Sequence, residues 1–270
     1  MAKPLVSVIV PAYNAAHTLE VTIQSVQAQT YSNWEMVITD DCSSDHTCEL
    51  VESHARRDPR IRLFRQAQNG GPALARNRSL QEARGEMVAF LDADDLWLAP
   101  KLERQVAFME RGGFGFTYTW YRWMSADGAY IGELTDAPAS LNYTDYLYLT
   151  GTIPTLTVLV DRRRVTGVEL PNFHAEDTLL WYHLLRQGRA YCLAEDLARY
   201  RLSPGSLSRN KWRHASWVWA NFRREGLPLP EAVDCFVAYA RRGLTKSVSR
   251  MVRGRYREPP QPPMCLPEAT

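Results

Sequence analysis

Apolar residues along the first hundred positions keep two alternating rhythms. Leu5-Val6-Ser7-Val8-Ile9-Val10 is β-branched and apolar between Pro4 and Pro11, which predicts a strand. Leu19, Ile23 and Val26 then recur at helical spacing. Trp34 to Thr39 reads as a second strand. A polar helix carrying Val51 and Ala55 follows, its start marked by Ser43, Ser44 and Asp45. Ile61 to Phe64 is a short third strand. Asn69-Gly70-Gly71-Pro72 is a turn that places Pro72 at the first position of a helix. That helix is expected to run to about Arg84 and to stop at Gly85. Met87 to Leu91 is a fourth strand, and a helix after Pro100 shows Leu102, Val106 and Met109 on one face.

Strand and helix in alternation predict an α/β fold with a mainly parallel sheet, right-handed crossovers and covering helices. In such sheets ligands bind outside the carboxyl ends of the strands. Four polar clusters fall at those ends. They are Pro11-Ala12-Tyr13-Asn14, Asp40-Asp41-Cys42-Ser43-Ser44-Asp45, Asn69 to Asn77, and Asp92-Ala93-Asp94-Asp95. Carboxylates as close as those of the last cluster repel one another unless something positive lies between them. Two readings fit: a hard divalent cation on oxygen ligands, or a solvated turn with Asp capping a helix. Asp40 and Asp41 divide likewise between a helix cap and a carboxylate that accepts a base N–H. Gly70-Gly71 admits close backbone approach or is a plain turn. Arg76 and Asn77 are either within reach of a ribose or phosphate, or solvated.

The second half is less regular. Gly115 to Met124 is strand-like, Asp127-Gly128 a turn, and Tyr130 to Leu134 a hairpin partner. Tyr143 to Leu149 suggests a short helix and Thr155 to Val160 a strand. Phe173-His174-Ala175-Glu176-Asp177 precedes an amphipathic helix with Leu179, Leu180, Trp181, Leu184 and Leu185. Its two acids are either favourable first-turn charge or a general base aimed into a cleft. His174 reads as a loop residue rather than a ligand. Tyr191 to Leu193 and Leu197 to Leu202 suggest two short closing strands before the polar loop Ser203 to Ser208.

Composition narrows the classes. The chain has 270 residues, 45% hydrophobic and 23% charged, which suits one large domain or a domain with an appendage. A net charge of +2 selects no particular partner, and no nucleic-acid partner is expected. No apolar run reaches the roughly 20 residues that cross a bilayer, and the start shows no signal-peptide pattern. Five scattered cysteines make no disulfide framework. Cys42 and Cys48 lack the second Cys/His pair of a zinc site. A cytoplasmic chain is expected, so the glycosylation-type triplets at Asn77 and Asn142 carry no meaning. No Gly-x-Gly-x-x-Gly follows the first strand and no Gly-Lys-Ser/Thr loop occurs, which excludes the common dinucleotide and P-loop sites.

The ordered set Val6 to Asn14, Asp40 to Ser44, Asn69 to Asn77, Phe90 to Asp95, Glu176-Asp177 with Trp181, and Tyr200 to Ser208 resembles bacterial family 2 inverting glycosyltransferases. Enzymes that assemble teichuronic acid, capsule or O-antigen are the most similar in pattern. The resemblance covers about residues 4 to 210. It implies a GT-A fold with a helical C-terminal extension, a nucleotide-diphosphate sugar donor with UDP favoured, Mn²⁺ or Mg²⁺, and inversion at the anomeric carbon. Ala12, Tyr13 and Asp41 would then surround the base, with Pro11, Asn14 and Asp40 also among the residues that bind the donor nucleotide. Asn69, Gly70, Gly71 and Arg76 would lie beside nucleotide and ribose. Asp92, Ala93 and Asp94 match the Asp-x-Asp motif, with Asp94 the direct metal ligand and Asp92 and Asp95 beside it. Asp177 matches the catalytic base with Glu176 as neighbour, and Arg201 and Ser206 fall in a loop that closes over the diphosphate.

Three departures qualify the match. Cys42 stands where many relatives have Gly, and Ser203 where many have His. Arg209-Asn210-Lys211-Trp212 replaces the Gln-x-x-Arg-Trp signature of processive members, so addition of a single sugar to a glycan or lipid-linked acceptor is expected. A non-catalytic binding or scaffold protein of the same fold, and a sugar nucleotidyltransferase, are the alternatives. The former would have lost the acids, and the latter would carry a Gly-rich loop where Pro11 to Asn14 stand.

The expected division is a catalytic domain over residues 1–212, with a nucleotide half (1–98) and an acceptor half (99–212), a basic helical extension (213–257), and a proline-rich disordered tail (258–270). Trp212, Trp217, Trp219 and Phe222 form an aromatic group on one expected helix, and a second starts near Pro230. Arg241 to Arg257 carries seven basic residues and no acid. Two readings remain: peripheral contact with the inner face of the cytoplasmic membrane, or a helical pair packed on the catalytic domain.

Overall fold

A computed structural model describes residues 3–202 and 211–253. Ser203, Ser206 and the tail 258–270, each given a role or state above, lie outside the described residues. The first half follows the expected alternation. Strands β1 (Val6–Ala12), β2 (Trp34–Asp40), β3 (Ile61–Arg65) and β4 (Met87–Phe90) are separated by α1 (Leu19–Gln27), α2 (Thr47–Arg57) and α3 (Pro72–Glu82). After β4 come β5 (Leu96–Trp97), α4 (Lys101–Gly112), β6 (Phe116–Met124), β7 (Ile131–Thr135) and β8 (Ser140–Leu141). Next are α5 (Tyr143–Tyr148), a 3₁₀ turn (Thr155–Thr157), β9 (Leu159–Asp161), α6 (Glu176–Leu185), β10 (Ala190–Arg201), α7 (Lys211–Arg224) and α8 (Leu229–Arg253).

All ten strands form one sheet in the order β3-β2-β1-β4-β9-β6-β10-β5, with β7 beside β6 and β8 beside β10. The neighbours β3, β2, β1 and β4 are mutually parallel. β9 is antiparallel to both β4 and β6, so β6 again runs with β4. The carboxyl ends of β1 to β4, β6 and β10 therefore share one rim, and the approach to β9, the turn Thr155–Thr157, reaches that rim too.

Successive strand residues point to opposite faces, and each face carries its own core. Val8, Val10, Met36, Ile38, Met87 and Ala89 join α1, α2 and α4 on one side. Ile9, Val37, Val88 and Phe90 join α3, α5 and α6 on the other, together with Val218 and Phe222 of α7 and Ala232 and Cys235 of α8. The C-terminal helices thus share a core with α5 and α6. α8 is tied down further by Arg242, which donates to Thr152 Oγ1 (3.0 Å) and Thr150 O (2.9 Å). Among the described residues no helix is long and apolar enough to cross a membrane.

Several expectations need correction. Gly85 does not cap α3, which ends at Glu82 with Ala83 already extended. Gly85 instead sits where its amide donates to Ser7 Oγ (2.8 Å), and an added Cβ would lie 2.6 Å from that oxygen and 2.7 Å from Leu5 O. α6 is not amphipathic: Glu176, Thr178 to Tyr182, Leu184 and Leu185 are all buried. The expected strand Thr155 to Val160 is a 3₁₀ turn followed by three residues of β9. The two closing strands are one, β10, with register shifts against β6 between Leu193 and Ala198. Ser43 and Ser44 do not cap α2, whose N-cap is His46 with no side-chain cap.

Candidate active site

The tip of β1 and the loop after β2 are interlocked. Asn14 N donates to Ser43 Oγ (2.9 Å), and Ser44 N returns to Asn14 Oδ1 (2.9 Å). Ala15 N donates to Thr47 Oγ1 (2.8 Å) and Ala16 N to Asp45 Oδ2 (3.1 Å). Both loops turn on left-handed residues that are not glycine, Asn14 (φ 47°) and Cys42 (φ 66°). Asn tolerates that region through its short polar side chain, whereas Cys has no such help. Pro11 and Ala12 are strand residues, Tyr13 is exposed at the tip, and Ala12 O accepts Asp41 N (2.8 Å).

The two aspartates after β2 separate in role. Asp40 is 2% exposed and its Oδ2 accepts Ser43 N (3.0 Å), so it forms the turn. Asp41 faces the next loop. Its two carboxylate oxygens accept Gly70 N (2.8 Å) and Gly71 N (2.7 Å), and Asn69 Nδ2 donates to Asp41 O (3.2 Å). Gly71 has φ 85°, a conformation natural to glycine, and Pro72 then starts α3. Each Asp41 oxygen keeps a second lone pair for another donor.

α3 carries Arg76 into the interior rather than to solvent. Arg76 is 6% exposed and forms two ion pairs, NH2 to Asp92 Oδ1 and NH1 to Glu176 Oε1, both 2.5 Å. Burial works against the guanidinium charge, but Asp92 and Glu176 outweigh it and hold the group protonated more firmly than usual. Glu176 is pushed above the ordinary carboxylate range by burial, with Arg76 opposing and Asp177 adding to the rise. Asp177 is half-buried. Its Oδ2 accepts Thr155 Oγ1 (3.1 Å) and its Oδ1 accepts Thr178 N (2.7 Å). Asn77 does not face this group: its amide is clamped in both directions by the Leu170 backbone, at 2.7 and 2.8 Å.

The acidic turn itself is braced from behind. Thr22 Oγ1 of α1 donates to Ala93 O (3.1 Å) and Asp95 O (2.9 Å). Asp95 is 2% exposed, and its Oδ1 accepts Arg201 N (2.8 Å). Burial first, then Asp94 and Asp92, raise its carboxyl well above the usual range. Asp95 is thus turned inward onto the end of β10, where it braces the turn. Arg201 is no loop residue. It ends β10 and spends its guanidinium on Asp94 O and Ala126 O, both at 2.7 Å.

Arg76, Asp92, Glu176 and Asp177 thus meet on one rim, with Asp94 in the same turn as Asp92. Edge-to-face packing of Phe90 on Trp181 (5.8 Å) ties the strand that leads to the acids onto the helix that carries Glu176 and Asp177. Thr155, against Asp177, went unmarked because a lone Thr after a proline carries no sequence signal. The donors present at Asp92 and Asp94 are hard oxygens without sulfur or imidazole, which suits Mg²⁺ or Mn²⁺ rather than Zn²⁺. Among the described residues no three His, Cys, Asp or Glu side chains converge on a metal position.

Comparison with known proteins places this rim in context. Residues 7–157 match the model of glycosyl transferase family 2. The chain is 42% identical over 90% of its length to a Bacillus subtilis protein named as a putative teichuronic acid biosynthesis glycosyltransferase, and covers 98% of it. It is 38% identical over 80% of its length to an Escherichia coli UDP-Glc:α-D-GlcNAc-diphosphoundecaprenol β-1,3-glucosyltransferase, 84% of which is covered. Among solved structures, a Pyrobaculum calidifontis mannosyltransferase in complex with GDP-Man and Mn²⁺ superposes with a TM-score of 0.66 at 20% identity. That match covers 96% of this chain and 77% of the other. The fold is GT-A, and with a match over more than half its length the chain belongs to glycosyl transferase family 2 and is a glycosyltransferase.

Proposed function

We propose that this enzyme moves a single sugar, with inversion, from a UDP-sugar to a hydroxyl of a glycan or lipid-linked acceptor during assembly of cell-surface polysaccharide. The observation that carries the reading is Arg76, which joins Asp92 of the acidic turn to Glu176 beside Asp177. A displacement with inversion needs the leaving diphosphate and the base on opposite faces of one sugar, and this pairing brings the acidic turn and the helix that carries Asp177 onto one rim. The Escherichia coli relative, named for UDP-Glc and a diphosphoundecaprenol acceptor, supports the donor and acceptor classes.

In this reading Ala12, Tyr13 and Asp41 frame the base, and Asn69, Gly70, Gly71 and Arg76 lie along the nucleoside. Asp94, with Asp92, would hold Mn²⁺ or Mg²⁺. When bound, the cation supplies positive charge against the diphosphate as it departs. Asp177 takes the proton of the attacking hydroxyl, a contribution typically worth about 10²–10⁴-fold. Thr155 orients its Oδ2. The basic run from Arg241 to Arg257 supports contact with an anionic membrane surface on the cytoplasmic side, where a lipid-linked acceptor would lie. Loss of vesicle flotation when the chain ends at Gly226 is the expected sign of that contact.

A thermal-shift panel of nucleotide sugars, with and without Mn²⁺, tests the donor. A ligand at about 100 times its Kd adds about 2.7 kcal/mol of stability. UDP-sugars with Mn²⁺ are expected to give the largest rise, and Asp94→Ala is expected to abolish the part that depends on Mn²⁺. A larger rise with GDP-sugars reassigns the nucleotide, and no rise with any nucleotide sugar overturns the proposal.

A further inference from the structure

The three residues before Glu176 are held by one face of α7. Ala175 opens α6 in the left-handed conformation, φ 55° and ψ 46°. It is neither Gly nor Asn nor Asp, and it has no polar side chain to satisfy the turn locally. Such a residue persists only where its surroundings impose the conformation. Here they lie some forty residues on in the sequence. The Asn221 amide, 1% exposed, donates to His174 O (3.4 Å) and Ala175 O (3.3 Å). Trp217, one turn earlier, stacks on the His174 ring with centroids 4.4 Å apart and planes 16° from parallel. Arg224, at the far end of the same stripe, sets its guanidinium 3.3 Å from the Phe173 ring centroid. Positions 217, 221 and 224 recur at helical spacing and face one way. Burial lowers the pKa of His214 on α7, and the charge of Asp177 opposes that effect.

We propose that Asn221 is a positioning residue for the general base: by fixing the left-handed turn at Ala175 it sets the first turn of α6, and with it the Asp177 carboxylate. The inference rests on Asp177 being the base. It makes α7 part of the catalytic unit. A displacement of about 1 Å in a reacting group can cost on the order of 10²-fold in rate.

The test uses the full chain with UDP-glucose and α-D-GlcNAc-diphosphoundecaprenol, or whichever donor of the panel the wild type turns over. Asn221→Ala is expected to lower kcat by about 10- to 100-fold while leaving the donor KM within about twofold. Hydrogen exchange should quicken over residues 171–180 with the rest of the sheet unchanged. Ala175→Gly removes the steric penalty of the left-handed turn and is expected to restore part of the lost kcat in the Asn221→Ala background. Trp217→Leu, which loses only the ring stack, should give a smaller loss of the same kind and serves if Asn221→Ala does not fold. Unchanged kcat and exchange, kcat and KM falling away together, or no recovery with Ala175→Gly overturns the proposal. Asp177→Asn is measured alongside. If it retains full transfer, the base assignment fails and this inference with it; if it is inactive beside a fully active Asn221→Ala, only the inference fails.

Discussion

Arg76 NH1 reaches Glu176 Oε1 at 2.5 Å across one hundred positions of sequence, while NH2 of the same side chain holds Asp92. Removing one member of a buried ion pair leaves the others uncompensated and typically costs about 3–5 kcal/mol. Arg76→Met is therefore expected to lower the unfolding free energy by an amount of that order, measured by urea denaturation. The deficit should shrink as pH falls, because burial already favours the protonated Glu176 and loss of Arg76 favours it further. A variant as stable as the wild type at neutral pH would mean that the cluster contributes nothing to the fold.

Asp177→Asn keeps the acceptor for Thr155 Oγ1 and removes the proton acceptor. Transfer is expected to fall by about 10²–10⁴-fold. Donor affinity, measured by calorimetry, should stay within about threefold, since the residue acts on the hydroxyl and not on the nucleotide.

Lys101 is fully buried at the start of α4, with Nζ 2.8 Å from Gln105 Oε1 and 4.1 Å from the Trp97 ring centroid, and among the described residues no carboxylate pairs with it. Burial lowers its pKa to about 7, against an ordinary value near 10.5. Between those values the unfolded chain holds the proton and the folded chain does not. Stability should therefore rise with pH through that window, by up to about 1.4 kcal/mol per pH unit from this group, and be lost as pH falls through about 7. Lys101→Met is expected to flatten the curve between pH 7 and 9 and to stabilise the protein below pH 7, as read from denaturant midpoints.

Cys42 occupies φ 66° beside Asp41, a conformation that costs an L side chain about 1–2 kcal/mol. Cys42→Gly relieves it but frees the unfolded chain, so a net gain of about 0.5–1 kcal/mol is expected in unfolding experiments. A loss of stability would show that the cysteine makes a compensating contact.

How much of this was legible depends on whether a feature is local. The Asp92 to Asp95 turn was legible because an apolar run followed by acids marks a strand end. The rim was legible because four such ends repeat. Arg76 was not: a cation on a helix looks alike whether it is solvated or aimed at two acids from distant segments. α6 misled for the opposite reason. Its leucines suggested an amphipathic stripe, but the helix lies between the sheet and the C-terminal pair, so nearly every face is covered. The contacts of Asn221 have no sequence signature, since a buried Asn is told from an exposed one only by what packs around it. The Cys42 departure was visible as a residue out of pattern, and its backbone angle supplies the reason.

Gly85 lies far from any reacting group, at the amino end of β4, where Met87 N joins Leu5 O at 3.1 Å. The space that a methyl group would need there is already filled by Ser7 Oγ and Leu5 O. β4 is a short lever of four residues: pushed off β1 at this end, it would tilt at the other, Phe90, two residues before Asp92. Saturation mutagenesis should therefore find position 85 among the least permissive in the chain, its intolerance inherited by leverage from chemistry at the opposite edge of the sheet.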